Sequence, residues 1–151
     1  RSTSVEAATM LSRLGSASTG ERLERVRGGC LLTKYNQRDG KNGQRWVKLV
    51  GSKVAWGDAK SRSCNSDLDL ATATALVHGA KGSAYYKAGA SKSHKDWQCF
   101  SVVTKERTLD LACESVGELF DWYLSLASLM PHSTEELMDE ANLRARIEQM
   151  V

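Results

Sequence analysis

The sequence predicts a mainly β domain with added α-helices, in which seven short antiparallel strands form an open barrel that a C-terminal helix caps. Turn residues divide the first two thirds of the chain into short β-prone segments. A long amphipathic segment follows the last of these, as expected of a helix that covers one end of a barrel. A length of 151 residues suits one such domain with short helical extensions at both ends.

The first three strands are predicted to form a meander over 30–35, 44–50 and 53–56. The segment between the first two, NQRDGKNG, is dense in turn residues, and its Asp-Gly and Asn-Gly pairs favour positive φ. The dipeptide Gly51-Ser52 makes the second connection short. We therefore expect a basic hairpin loop followed by a two-residue turn.

The remaining strands are less regular in sequence. A polar loop is predicted at 57–66, and 67–78 is interpreted as one or two short strands with a break between them. A second loop is predicted at 79–96. Strands at 97–104 and 108–113 complete the set. Short strands separated by turn signals are typical of a small barrel or sandwich.

Capping boxes, in which Ser or Thr precedes Glu by three residues, mark three helix starts. They begin at Thr3, Ser115 and Ser133. The helices predicted from them span 4–14, 116–130 and 134–149. A shorter helical turn is predicted at 21–26. Pro131 is expected to end the helix at 116–130.

These elements divide the chain into three parts: an N-terminal helical extension at 1–26, the barrel domain at 27–130 and a C-terminal helix at 131–151. The helix at 116–130 has a wider apolar face than one barrel end requires. Two interpretations stay open for the surplus. Either the terminal helices cover it, or it forms a groove for a partner.

Charge is unevenly distributed, although the net charge is only +3. Residues 27–65 hold nine Lys or Arg and two Asp, a net +7, whereas residues 114–151 hold two Arg and eight acidic residues, a net −6. The basic part favours an anionic lipid surface or an acidic protein, or it is only solvated. Nucleic acid is not expected, because the strand aromatics Tyr35 and Trp46 more often pack than stack on bases.

The sequence contains no recognisable catalytic or metal-binding motif. Its four cysteines lack C-x-x-C spacing and are interpreted as buried free thiols in a reducing compartment. No histidine belongs to an HExxH motif, and the G-x-S-x-G motif is absent. We expect no enzyme activity, no metal and no cofactor.

The segment WQCFSVVTKERTLDLACESVGELFDWYLSLASLM at 97–130 resembles the end of a pleckstrin homology domain, most closely one of the phospholipase C type. Trp122 falls at the hallmark tryptophan of that family, and 28–56 resembles its first three strands. The resemblance covers about residues 27–130. It implies two near-orthogonal sheets, a buried Trp122 and a headgroup site at the barrel mouth.

The resemblance also implies which side chains would contact a lipid phosphate or an acidic partner. Thr33 and Tyr35 stand where the family has lysines on the first strand. Lys34 lies between them and is expected to point to the opposite face. The implied contact residues are Lys34, Arg38, Lys41, Arg45, Lys60 and Arg62. The pocket is therefore expected to be degenerate and its phosphoinositide affinity weak.

A second resemblance is to the small acylated pleckstrin-homology proteins of apicomplexan parasites, which include the inner membrane complex sub-compartment proteins. The size and the N-terminal extension carry it. It implies a monomeric, non-enzymatic adaptor at the cytoplasmic face of a membrane, in such a parasite the inner membrane complex. Acylation upstream would anchor it, and an unidentified protein would be its partner. The alternative is a lipid headgroup reader for phosphatidic acid or phosphoinositides.

Overall fold

A computed structural model describes Thr9, Leu11 and residues 17–151. Seven strands are present in this part of the chain, as predicted. They are β1 (Cys30–Tyr35), β2 (Asn42–Val50), β3 (Lys53–Asp58), β4 (Cys64–Asp69), β5 (Ala73–His78), β6 (Cys99–Thr104) and β7 (Thr108–Ala112). The predicted helix at 4–14 lies outside the described residues except at Thr9 and Leu11, which are both helical.

The strands form one antiparallel sheet in the order β4-β3-β2-β1-β7-β6-β5. Its inner face carries the core residues Leu32, Val47 and Val54. Its outer face carries the side chains that alternate with these, including Tyr35, Trp46 and Asp110. The sheet curls into an open barrel, so that Arg107 beside β7 donates a hydrogen bond to the carbonyl of Asp67 on the distant strand β4.

Within residues 17–151, four α-helices pack around the sheet. They are α1 (Thr19–Arg27), α2 (Ser83–Ala88), α3 (Val116–Ser128) and α4 (Glu140–Met150). Helix α3 starts where its capping box predicts, with Ser115 accepting a hydrogen bond from the Glu118 amide at 3.2 Å. Trp122 is fully buried in the main core, which confirms the prediction for this residue.

The wide apolar face of α3 is covered by the chain itself. Phe120, Tyr123 and Leu126 are fully buried and share one core with Val26 of α1 and Leu143 of α4. The terminal helices are also tied by charge. Arg22 of α1 is buried between Asp121 of α3 and Glu140 of α4, at 3.2 and 3.0 Å. This arrangement favours coverage by the terminal helices over a partner groove.

The structure differs from the predicted elements at β4, at α2 and at the start of the last helix. β4 begins at Cys64, inside the predicted polar loop. The predicted loop at 79–96 contains α2, whose Tyr85 is buried against the outer face of the sheet. The Tyr85 hydroxyl lies 2.8 Å from the carbonyl oxygens of both Phe100 and Leu111. These tertiary contacts stabilise a helix too short to form alone.

The last helix starts later than its predicted capping box at Ser133. Residues 134–136 instead lie along the free edge of β5, where Glu135 exchanges backbone hydrogen bonds with Thr74 and Leu76 at 2.9 and 3.0 Å. Helix α4 begins after Asp139, which accepts from the Asn142 amide. Pairing with an exposed strand edge satisfies backbone groups of that strand, and here it takes precedence over a local helix start.

The hairpin turn between β1 and β2 rests on α2, and this contact needs a glycine. Gly40 has φ +77, and a Cβ there would lie 2.4 Å from the Ala88 nitrogen. We expect Gly40→Ala to destabilise the fold by about 1–3 kcal/mol or more, because backbone strain and a steric clash act together. Urea denaturation measures the loss.

Gly51→Ala is the matched control for this substitution. Gly51 has φ +59, but no atom lies within 4 Å of its added Cβ, so only the backbone strain remains. If both variants lost the same free energy of unfolding, the packing of Gly40 against α2 would make no contribution to stability.

Candidate anion-binding site at the barrel mouth

Three turns meet at one end of the barrel, which we call the mouth: β1–β2, β3–β4 and β6–β7. The Thr108 amide, where β7 begins, donates to the Gln37 side chain of the β1–β2 turn at 3.2 Å. Across the β2–β3 pair, Arg45 lies opposite Asp58, which starts the β3–β4 turn. The mouth is thus assembled from segments up to about 70 residues apart in the chain.

Lys34 and Arg45 share the inner face of the sheet at the mouth. The strand register pairs Leu32 with Arg45 and Lys34 with Gly43, and paired residues project to the same side. The register therefore confirms that Lys34 points to the face opposite Thr33 and Tyr35. Arg45, which the resemblance aligns with the second-strand Arg of the family, lies on the face of Lys34 and not on that of Thr33 and Tyr35.

The charge of Lys34 is held in an unfavourable environment. Partial burial lowers the pKa of its ammonium, and repulsion from Arg45 and Arg107 lowers it further, against opposing attraction from Asp110 and Asp39. Its ammonium donates one hydrogen bond, to the Asn36 side chain at 3.0 Å. An anion bound at the mouth would relieve this repulsion.

Arg107 is a third cation at the mouth that the sequence did not single out. Its guanidinium lies 5.0 Å from the centroid of the Trp56 ring and also bonds the Asp67 carbonyl. In the sequence it belongs to a plain three-residue turn, Lys105-Glu106-Arg107. Only the curl of the sheet places it beside Lys34, so no local signal identifies it.

We define the mouth triad as Lys34, Arg45 and Arg107. Within the described residues, none of the three has a carboxylate oxygen within 4.0 Å of its charged nitrogens. Arg45 donates to a backbone carbonyl, that of Gln44, at 2.9 Å. Three cations without a carboxylate partner at an open barrel end have the charge and the position that an anion site requires.

The other predicted contact residues lie around this triad or away from it. Arg38, Lys41 and Lys60 are exposed on the two turns at the rim. Arg62 lies elsewhere, with its guanidinium 4.4 Å from the centroid of the Trp46 ring, on the outer face of β2. The rim residues can add diffuse attraction, whereas Arg62 does not face the triad.

Acidic groups reduce the strength of the mouth as an anion site. The Asp58 carboxylate accepts the backbone N–H groups of Ser61 and Lys60 at 2.8 and 3.1 Å. These hydrogen bonds, those from Ser61 above all, lower the pKa of Asp58, so it stays charged beside Arg45. The site therefore combines three cations with a fixed negative neighbour.

Thr33 and Tyr35 lie on the outer face, where Tyr35 belongs to a different arrangement. The Tyr35 hydroxyl lies 2.7 Å from Nδ1 of His94, and Nε2 of His94 lies 2.8 Å from the Glu114 carboxylate. The Tyr35 and Tyr85 rings pack at 4.9 Å between centroids. Helix α2 and the segment after it therefore cover this face, which leaves the inner face as the one open at the mouth.

No group of three or more His, Cys, Asp or Glu side chains in 17–151 is arranged to hold a metal ion. None of the helices described is long and apolar enough to cross a membrane. The cysteines are free thiols, and burial raises the pKa of Cys99 to about 12.

Comparison with known proteins gives matches in structure. No protein-family model and no curated protein matches the sequence. Inner Membrane Complex Sub-compartment Protein 3 from Toxoplasma gondii matches with a TM-score of 0.55 at 10% identity, over 78% of this chain and 86% of that one. Sub-compartment Protein 1 from the same organism gives 0.51 at 16% identity, over 77% and 94%.

PLC21 from S. officinalis gives a TM-score of 0.52 at 15% identity, over 70% of this chain but 16% of that one. The match thus concerns one domain of a much longer chain. At such identities, similarity establishes the fold alone. The chain has the pleckstrin homology fold: an open, seven-stranded antiparallel barrel closed by helix α3, which follows the last strand.

Proposed function

We propose that this chain is a non-enzymatic pleckstrin homology module that binds an anionic lipid headgroup weakly through the mouth triad. The observation that carries the proposal is the position of Lys34, Arg45 and Arg107 on one side of an open barrel end without a carboxylate partner. Phosphate oxygens are the groups that such a cluster of cations binds best. Its location would be the cytoplasmic face of a membrane, where anionic lipids are concentrated.

The affinity is expected to be modest. A buried leucine, Leu32, occupies the inner position that precedes Lys34, and Asp58 offsets part of the charge of Arg45. Each exposed cation near an anionic surface adds about 1 kcal/mol, so the rim residues support the triad. Stable residence at a membrane would need a second contact, such as a lipid anchor elsewhere in the protein, since one acyl chain alone binds reversibly.

Sedimentation with vesicles tests this proposal. We expect the chain to bind phosphatidylcholine vesicles that contain phosphatidic acid or phosphatidylinositol bisphosphate, and not pure phosphatidylcholine. The double variant Lys34→Gln/Arg45→Gln should lose about a hundredfold in affinity, because two charge-assisted contacts of about 1.5 kcal/mol each disappear. The variant should also bind with a weaker dependence on salt.

A matched double variant changes the net charge equally but leaves the mouth intact. Lys48 projects from the outer face of β2, and Lys53 begins β3 at the other end of the β2–β3 hairpin. Lys48→Gln/Lys53→Gln should retain most of the binding. An equal loss in both double variants would mean that net charge alone attracts the vesicles, and the mouth would not be the site.

A second candidate function is the protein adaptor that the sequence favours. The observation in its support is Tyr86 on α2, whose side chain is 89% exposed beside the buried Tyr85. Exposed tyrosines on a rigid element are common anchors of protein interfaces. Localisation of the full-length protein separates the two functions. If Tyr86→Ala abolished the normal localisation and Lys34→Gln/Arg45→Gln left it unchanged, the result would indicate the adaptor function.

A further inference from the structure

Arg62 is a basic residue that the mouth leaves unused, and its backbone conformation is strained. Its φ of +55 lies in the left-handed region, which residues other than glycine seldom adopt. Its amide donates to the carbonyl of Asp58 at 2.9 Å, so the β3–β4 turn closes around it. This conformation costs stability, and such strain is found most often at functional sites.

The side chain of Arg62 is held in a defined place by an aromatic ring. Its guanidinium lies over the ring of Trp46, 4.4 Å from the ring centroid. The position of this ring depends on Gly29, where φ is +89 and a Cβ would lie 2.3 Å from Cζ2 of the indole. A strained turn and a glycine thus fix one guanidinium and one indole relative to each other.

The Arg62 guanidinium has no partner of opposite charge. The residue is exposed, and across the described ranges its charged nitrogens take part in no ion pair and no hydrogen bond. A guanidinium presents its N–H groups in a planar fork that matches the two oxygens of a carboxylate. The fork of Arg62 is therefore free to bind such a group.

An apolar side chain lies beside this guanidinium on the outer face of the sheet. Leu31 of β1 is paired with Trp46 of β2, and paired residues project to the same side. Leu31 is 38% exposed, and Trp46 is partly exposed. We call Leu31, Trp46 and Arg62 the outer patch, in which a free cation adjoins an apolar surface.

The charges around the outer patch favour a protein segment over a membrane. Asp67 of β4 is aligned with Ala55 and Lys48, so Asp67 and Asp69 project from the same face as Trp46. An anionic lipid surface lying flat on this face would be repelled by both carboxylates. An extended peptide is only about 5 Å wide, the spacing of neighbouring strands, and it can contact the patch without covering β4.

We propose that the outer patch binds an acidic segment of a partner protein. A Glu or Asp carboxylate of the segment accepts hydrogen bonds from the Arg62 guanidinium, and a neighbouring apolar side chain packs on Leu31 and Trp46. Tryptophan and arginine are the residues that most often dominate the binding energy of protein interfaces. This inference does not depend on the proposed lipid binding, because Trp46 and Arg45 project to opposite faces of β2.

NMR titration with a short peptide tests the inference. The probe has the sequence Gly-Glu-Ser-Leu-Gly and is acetylated and amidated, so that Glu and Leu project to the same side of an extended chain. We expect saturable shifts of the Trp46 indole N–H and of the Arg62 side-chain N–H. The same peptide with Gln in place of Glu should bind about tenfold more weakly, since a charge-assisted contact is lost. Equal binding of the two peptides would overturn the inference.

Two substitutions of one charge each separate the patch from net charge. Arg62→Gln should weaken binding of the Glu peptide about tenfold and leave that of the Gln peptide nearly unchanged. Lys105→Gln, at an exposed residue of the β6–β7 turn, should change neither. Arg62→Lys should restore only part of the affinity, because an ammonium lacks the planar fork. An equal loss in Arg62→Gln and Lys105→Gln would assign the binding to net charge and contradict the inference.

Arg62→Gly keeps the test independent of folding. Glycine adopts the left-handed conformation without strain, so this variant should be at least as stable in urea as Arg62→Gln. It should also lose the affinity for the Glu peptide to the same extent. If Arg62→Gly bound that peptide as tightly as the unmodified chain does, the guanidinium would not be the contact, and the inference would be wrong.

Vesicle sedimentation decides between a peptide and a membrane at this patch. Arg62→Gln should sediment with vesicles that contain phosphatidic acid nearly as the unmodified chain does. Loss of sedimentation in this variant would make the outer patch a lipid contact and would overturn the inference. Failure of the Glu peptide to bind would also contradict it, but would leave vesicle binding at the mouth untouched, so the two proposals can fail separately.

Discussion

Trp122→Ala is expected to destabilise the protein by about 3–5 kcal/mol. Trp122 is the largest fully buried side chain in the described part of the chain, and its ring lies in the main core where α3 closes the barrel. Truncation to alanine removes a large apolar area and leaves a cavity that the surrounding strands fill only partly. Urea denaturation followed by circular dichroism measures the loss, and the midpoint should fall without a change in slope.

An exposed aromatic residue provides the comparison. Tyr86→Ala removes a ring of similar size from the surface of α2 and should change stability by less than about 0.5 kcal/mol. Trp122→Phe should lie between the two variants, because part of the apolar volume stays in place. If Trp122→Ala cost no more than Tyr86→Ala, α3 would not be the element that closes the barrel.

The sequence predicted best those elements whose local pattern and tertiary surroundings agree. β1 has the predicted limits, and α3 starts at the predicted residue because its cap is local: Ser115 accepts from the amide of Glu118, three residues on. The last helix shows the opposite case. Ser133 has the right spacing for a cap, yet the free edge of β5 binds the following residues first. A capping motif cannot report a strand edge that forms about 60 residues earlier in the chain.

The candidate site was predicted in part for the same reason. Arg45 was identified because the segment Gln44-Arg45-Trp46 resembles the second strand of the pleckstrin homology family, which has an Arg at this position. Lys34 was correctly placed on the face opposite Thr33 and Tyr35, but it was not expected to share the face of Arg45. A shift of one residue in a strand alignment reverses every side chain, so the resemblance alone does not settle which residues share a face. Arg107 was missed because its place beside Lys34 depends on the curl of the whole sheet. Residues that meet only through tertiary structure leave no pattern in the sequence.

Helix α2 supports the β1–β2 turn at the mouth. It holds the outer side of the β1–β2 turn, where the Lys87 ammonium donates to the Gln37 carbonyl at 3.0 Å and Gly40 packs beneath it. On the inner side, the same turn lies next to Lys34. The segment between β5 and β6, which contains α2, therefore supports the β1–β2 turn on its outer side and so helps to fix the shape of the mouth. The same segment lines a cavity beside Asp110.

His78 makes the stability of the fold depend on pH below neutrality. Its imidazole is buried where α4 meets the end of β5, with Nε2 at 2.8 Å from the Trp97 carbonyl. The Arg146 guanidinium donates to Nδ1 at 2.9 Å, which requires a neutral ring with its proton on Nε2. Asp96 and Lys81 are the other charged groups near the ring, and the edge of Tyr123 packs on it.

These surroundings determine the direction of the pH effect. Burial lowers the pKa of His78 to about 4, opposed by the bond to the Trp97 carbonyl and reinforced by Arg146. Between about pH 6.5 and pH 4 the unfolded chain binds a proton that the folded chain does not. Stability should therefore fall as the pH falls through this range, by about 3 kcal/mol in all at 1.4 kcal/mol per pH unit.

The variant His78→Gln isolates this contribution, because glutamine can offer a donor and an acceptor but does not titrate. Buried carboxyl groups such as Asp110, whose pKa burial raises, act in the opposite direction and are common to both proteins. The difference in unfolding free energy between the two proteins should therefore change by about 3 kcal/mol from pH 7.5 to pH 4, in favour of the variant at low pH. A constant difference would mean that the imidazole is protonated as easily in the folded chain as in the unfolded one. The contact between Arg146 and Nδ1 would then not persist in solution, and α4 would not be held to the end of β5 by this pair.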